Sequence, residues 1–172
     1  FPEKPITMIL PLGAGGSHDR NARVFTSVIP EFLGNAIIVK LMPGASGQVG
    51  TAAAARAKPD GYTLIFTHNY YDQLQKHVKK LPYNTDKDFV TVGKLNSGSF
   101  SVIVRADSPF KTWGQLVAFA KKNPGKLKFA HSGNWGATHA PALQLFTEAG
   151  IVKNIVMVPY KGGGPYLRGF LA

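Results

Sequence analysis

Cysteine is absent from the 172-residue chain. That excludes a disulfide framework, a zinc–thiolate site and a cysteine nucleophile. Acidic side chains are scarce: nine Asp and Glu stand against 20 Lys and Arg, a formal net charge of +11. The acids are scattered through polar segments, so no paired-carboxylate site for general acid–base work is legible. No apolar run approaches the ~18 residues that a membrane-crossing helix needs. The histidines at 18, 68, 77, 131 and 139 never fall in an HExxH or HxxxH spacing, so no metal centre is expected.

What is present is a globular composition. Hydrophobic residues make up 44% and charged residues 17%, which argues against disorder. The length suits one ordinary domain or two small lobes. The positive charge is uneven: residues 109–172 hold 8 basic side chains and 1 acidic, Glu148. Such an excess suits nucleic acid, an anionic membrane or small anionic ligands. Lys76, Lys79, Lys80, Lys121, Lys122, Lys126 and Lys128 lie in loops and at helix ends without interleaved aromatics. With no recognition-helix or RNA-binding pattern beside them, they read as a solvated face, and no nucleic-acid partner is expected.

Along the chain, strand and helix patterns alternate. Residues 5–11, 36–39 and 62–67 read as buried strands, and helical spacing follows over 19–33 and 48–57. Ser17 or Asp19 suits the N-cap of the first helix. Further on, 89–95 and 100–105 read as strands, 113–122 as a helix capped by Thr112, 127–130 as a strand, 138–149 as a helix and 155–158 as a strand. A final helix begins near Tyr166. Repeated β-loop-α units predict an α/β fold with mostly parallel sheets flanked by helices. A lobe boundary is expected near 95–108, dividing the chain into 1–100 and 101–172.

Glycine loops stand where strands give way to helices: Gly13-Ala14-Gly15-Gly16-Ser17-His18-Asp19, Pro43-Gly44-Ala45-Ser46-Gly47, and His131 to His139. In open α/β sheets ligands bind beyond the carboxyl ends of strands. Helix N-termini there offer unpaired N–H groups and partial positive charge. Any one such loop is also explained by a tight turn; their recurrence with the excess charge points to anion binding. Known phosphate loops fit poorly. His18 replaces the last glycine of GxGxxG, Lys40 stands where an acid belongs, and no GxxxxGK[ST] occurs. Ser132, His139 and Asp19 can be drawn as a catalytic triad, but so can three such residues in most chains. An α/β enzyme or a nucleotide- or phosphate-binding domain using the same loops stays open as an alternative.

Several of these segments, in this order, resemble the solute-binding proteins of tripartite tricarboxylate transporters, the Bug or TctC-like family. They are Pro11–Asp19, Pro43–Gly50, Lys58–Leu64, Leu81-Pro82-Tyr83, Asp88-Phe89, Pro124–Leu127, Ser132-Gly133 with Gly136 and His139, and Val158–Gly162. The resemblance implies a two-lobed, type II periplasmic-binding-protein fold and a receptor that is not an enzyme and uses no cofactor. It would capture a small carboxylate, such as a di- or tricarboxylate, an amino acid or an aromatic acid, and deliver it to membrane-embedded transporter subunits. The resemblance assigns ligand contacts to Gly13, Ala14, Gly15, Gly16, Ser17 and Asp19 in lobe one, with Asn69 after the third strand. In lobe two it assigns Ser132, Gly133, Gly136, Ala137, Thr138 and His139, with Tyr160, Lys161 and Gly162 at the rim. Asp19 either caps its helix or selects an amine or hydroxyl on the ligand.

Two departures stand out. His18 is bulkier than the small residue relatives often carry there, and residues 68–80 are unusually aromatic and basic, so that Tyr70 and Tyr71 could stack on an aromatic acid. Family members also run longer. The expectation is therefore a mature, periplasmic chain that starts after a removed signal peptide and lacks part of its second lobe.

Overall fold

A computed structural model describes residues 1–68 and 74–172; Asn69, Tyr70 and Tyr71 lie outside the described residues. The first unit begins with β1 (Ile6–Leu10), whose residues are almost all buried. It continues through α1 (Ser17–Val28), α2 (Pro30–Leu33), β2 (Ile37–Leu41), α3 (Gln48–Ala55) and β3 (Thr63–Ile65). The sheet order is β2-β1-β3, all parallel, with Ile6 opposite Ile37 and Thr7 opposite Thr63. The most apolar strand takes the centre because only there are both faces covered. A short α4 (Gln75–Val78) follows.

The second unit contains α5 (Trp113–Lys122), β4 (Leu127–His131), α6 (His139–Glu148), β5 (Ile155–Pro159) and α7 (Gly163–Leu171). Its strands β4 and β5 pair in parallel, Leu127 opposite Ile155 and His131 opposite Pro159. Each unit has its own core. Ile6, Met8, Ala22 and Ile37 pack together in the first, with Phe25, Ile29 and Phe66 around them. Leu116, Ala120, Ala142, Phe146, Ile151 and Ile155 form the second. Phe146, 1% exposed, stacks on Trp113 and meets Phe129 edge-on.

Local signals explain most element boundaries. Thr112 caps α5 as expected, its hydroxyl accepting from Gln115 N at 3.3 Å, while Gln115 Oε1 accepts from Lys111 N. The first helix departs from expectation. It stops at Val28, and Pro30 opens the separate α2, since proline is tolerated in a first helical turn but not in an interior. Its apolar stripe is only half used. Ala22, Phe25 and Ile29 pack inward, whereas Val24, Val28 and Phe32 face solvent.

The strands expected at 89–95 and 100–105 are not formed. Val90 and Val92 are 90% and 85% exposed. Alternating β-branched residues make a strand only when a neighbour completes the hydrogen-bond ladder and covers one face, and here neither happens. A hollow of about 390 Å³ beside this stretch is lined by Val102, Val104, Phe110, Phe129, Phe146 and Phe170, among others. None of the strand-end loops contributes to it.

Phe146 sits where α5, α6 and β4 meet, so its removal leaves a cavity that backbone cannot refill. Phe146→Ala is expected to lower unfolding free energy by about 3–5 kcal/mol in a urea titration. A loss below about 1 kcal/mol would mean the second unit has no independent core.

Candidate functional site

The carboxyl ends of both sheets face each other, and the loops that leave them meet in pairs. The loop after β1 meets the loop after β5, and the loop after β2 meets the loop after β4.

The first pairing is backbone on backbone. Gly13 N donates to Lys161 O at 3.2 Å. A Cβ on Gly16 would lie 3.1 Å from Gly164 N, one on Gly162 would lie 2.9 Å from Gly13 N, and one on Gly164 would run into the Ala14 carbonyl. Glycine is required here so that two segments of backbone can close on each other. That is a different use from a cradle open to an anion.

Asp19 organises the first loop. It is 5% exposed, accepts from Gly15 N at 2.9 Å through Oδ2, and pairs with Arg23 Nε at 2.9 Å through Oδ1. The N-cap of α1 is Gly16, not Ser17 or Asp19, and Asp19 reaches back from the first turn to hold the residue before the cap. Gln115 does the same for α5. An anionic group in a first turn also opposes the helix dipole favourably. With the Gly13 and Gly15 amides engaged inside the protein, the amides left without a partner among the described residues are those of Ala14 and Gly16 and those opening α1 at Ser17, His18 and Asp19. Ala14 and Ser17 are exposed.

The loop after β4 is buried almost throughout. Ser132, Gly133, Gly136, Ala137 and His139 are all shielded. Thr138 Oγ1 accepts from Ser132 N at 2.9 Å and lies 2.9 Å from Ser132 Oγ. Gly136 N closes a turn onto Gly133 O at 3.2 Å. Trp135, at a positive φ of 59°, donates its backbone N–H to His139 Nδ1 at 3.0 Å. That bond makes Nδ1 the acceptor and puts any ring proton of a neutral His139 on Nε2. Opposite this loop, Ser46 holds a φ of 56° in the turn between β2 and α3, and a Cβ on Gly133 would lie 3.1 Å from its Oγ.

Two histidine pairs flank the loops. His18 and His68 have ring centroids 4.9 Å apart, with Phe66 beside His18, and His131 and His139 are 4.3 Å apart. Burial holds all four below the usual imidazole range. His68 is pushed down to about 3 by burial and then by the neighbouring His18. His139 is pushed down to about 4 by burial and then by His131. All four rings are therefore neutral at pH 7. Among the described residues this region gathers backbone amides and hydroxyls, with Arg23 paired to Asp19 and the Arg168 guanidinium beside Gly15.

The remaining expected residues are placed as follows. Tyr160 N continues the ladder to His131 O at 2.8 Å, and its ring packs against Gly169 of α7. Lys161 contributes its carbonyl to Gly13, and Gly162, at φ 114°, opens the close approach. Asn69 lies outside the described residues. Ser132, His139 and Asp19 do not assemble into a triad: the serine bonds Thr138, His139 Nδ1 is taken by Trp135, and Asp19 is held by Arg23 and Gly15. Among the described residues no cluster could hold a metal ion. Reading the chain alone missed Ser46, His68, Gly163 and Gly164 as parts of this region. Ser46 stood within a recognised glycine loop, and the shared polarity of parallel strands could have placed it on the same sheet edge.

Residues 21–172 match the sequence model of the family described as "Tripartite tricarboxylate transporter family receptor". A relative from Cupriavidus necator, "UPF0065 protein in gbd 5'region", is 34% identical over 177 residues, covering 99% of this chain and 51% of its own. A solved "Structure of a periplasmic transporter" superposes with a TM-score of 0.86 at 34% identity, over 99% of this chain and 57% of the other. MatC from Rhodopseudomonas palustris with bound malate superposes with a TM-score of 0.85 at 28% identity, over 99% of this chain and 58% of its own. The chain thus spans about half the length of the curated relatives it matches.

Two measurements follow from this geometry. Asp19→Ala strands the Gly15 amide and is expected to cost about 1–3 kcal/mol of stability in urea unfolding; an unchanged midpoint would show that the latch is idle. The histidines give a pH dependence of defined sign. Their folded-state values lie below the unfolded value of 6.5, so the unfolded chain takes up more protons. Stability is full above pH 6.5 and falls as pH drops toward 4. The melting temperature should decline between pH 6.5 and 5, before carboxylates titrate, and His139→Gln should flatten that decline.

Proposed function

The chain belongs to the tripartite tricarboxylate transporter receptor family, and from that premise we propose that it captures a small carboxylate between the facing ends of its two sheets. In this reading it works outside the cytoplasm, in the periplasm, and hands its ligand to membrane subunits of a tripartite tricarboxylate-type transporter. It is a binding protein and not an enzyme.

The observation that carries the reading is the kind of donor gathered at the strand ends. Unpaired amides open α1 at Ser17 and His18, the Ser132–Thr138 loop leaves the carboxyl end of β4 against Ser46, and the nearby imidazoles are neutral. Oriented amides and hydroxyls form charge-assisted bonds to a carboxylate without any reactive group. The malate bound to the similar MatC agrees with a dicarboxylate, and the excess of basic side chains favours the approach of anions. Ala14, Gly16, Ser17, Gly133, Ala137 and Thr138 are the proposed contacts. Gly13, Gly15, Asp19, Ser132, Gly136, His139, Tyr160, Lys161 and Gly162 hold the loops in position around them. Gly13 and Gly16 of the first loop are packed against the loop after β5, which disfavours a phosphate cradle for a nucleotide.

A thermal-shift screen against malate, succinate, glutamate, citrate, benzoate and ATP tests the proposal. A carboxylate at 100 times its Kd should stabilise the protein by about 2.7 kcal/mol, and ATP should do nothing. Stabilisation by ATP with no response to any carboxylate would overturn it.

A further inference from the structure

The turn between β2 and α3 is built against the grain of the backbone. Four consecutive residues hold positive φ: Gly44 at 145°, Ala45 at 46°, Ser46 at 56° and Gly47 at 94°. Glycine carries such values without cost, but Ala45 and Ser46 do not. Strain of this kind survives only where the surroundings hold it, and here they do. Gln75, fully buried, donates through Nε2 to Ser46 O at 2.9 Å, and its Oε1 accepts from Gln48 Nε2 at 3.1 Å. Gly47 N bonds Gly44 O at 2.9 Å, and Thr51 Oγ1 bonds Gly47 O at 2.9 Å. A side chain from α4 and two groups of α3 thus grip a turn only four residues long.

That grip decides where one hydroxyl points. Ser46 lies against the loop after β4: a Cβ on Gly133 would come within 3.1 Å of its Oγ, 3.4 Å of its Cβ and 3.5 Å of its Cα. The hydroxyls native to that loop are spent on each other, Ser132 Oγ lying 2.9 Å from Thr138 Oγ1. Ser46 Oγ has no hydrogen-bond partner among the described residues, although Ser46 is half-buried. A turn that needed only its shape would be served better by glycine at position 46. A serine is kept there at a conformational cost, with its hydroxyl free and facing the opposite sheet's binding loop.

We propose that Ser46 is a ligand-binding residue: its hydroxyl reaches across from the first sheet and donates to the carboxylate group held at the Ser132–Gly133 loop, with Gln75 as the positioning residue that aims it. The inference rests on the receptor reading above and adds a third strand-end loop to the cleft.

Three variants test it in titration calorimetry, with whichever of malate, succinate, glutamate, citrate and benzoate stabilises the wild-type protein most. Ser46→Ala keeps the backbone demand and loses the hydroxyl. Its ligand-free melting temperature should stay near that of the wild type, while affinity falls about tenfold or more. Ser46→Gly relieves the left-handed conformation, so its ligand-free melting temperature should rise while affinity falls as it does in the alanine variant. Gln75→Leu, whose readout is the Kd measured well below its melting temperature, should lose affinity in the same direction. If Ser46→Gly is more stable and binds as tightly as the wild type, Ser46 is only a turn residue and the proposal is overturned. If the wild type itself binds none of these acids, the receptor reading has failed instead, a result distinct from tight binding by the variants.

Discussion

Backbone can approach backbone closely only where no Cβ stands between, and the meeting of the strand-end loops in this protein depends on that. Gly13 and Gly16 on one side, Gly162 and Gly164 on the other, bring the loop after β1 against the loop after β5. The Gly13–Lys161 hydrogen bond ties them. Once those loops are in register, the loop after β2 is carried to the loop after β4, because each sheet is parallel and all of its loops leave from one edge. The arrangement is a consequence of strand polarity plus the absence of four side chains.

Electrostatics within the cleft run opposite to the composition. The chain carries a net charge of +11, yet the inner histidines are neutral and Asp19 is matched by Arg23. Long-range positive potential and short-range dipolar recognition are different tasks. A cation buried there would carry the cost of its own desolvation. Amides and hydroxyls are already dipolar and suffer far less on burial when oriented by the fold. Asp19 shows the same economy: a carboxylate that seemed free to choose a ligand group holds the loop that presents the donors.

Loops in such a site are rigid for reasons that can be named. The turn at Ser46 is gripped by Gln75, the β4 loop is locked by Ser132 with Thr138 and by Trp135 with His139, and the β1 loop is latched by Asp19. Each lock joins a side chain to a backbone group, and each side chain comes from the start of a helix or from a helix elsewhere. The loops at the strand ends are thus positioned by helices, the division expected of open α/β sheets.

Much of this was legible along the chain. Period-two and buried-strand patterns located β1, β2, β3, β4 and β5, a capping threonine located α5, and glycine clusters marked the strand-to-helix loops, because all of these are set by residues within a few positions of one another. The order of motifs from Pro11 to Gly162 pointed to the family that residues 21–172 match. What only tertiary structure decided lies between residues far apart. Valines at 90 and 92 look like a strand, but a ladder requires a partner elsewhere, and exposure shows they found none. Nothing near Gly164 in sequence reveals that a methyl there would strike the Ala14 carbonyl, and nothing near Ser46 reveals Gln75 beneath it or Gly133 opposite. Local sequence sets the elements and the places where the chain can turn. Which turns meet, and so which glycines and hydroxyls matter, is set by packing across the fold.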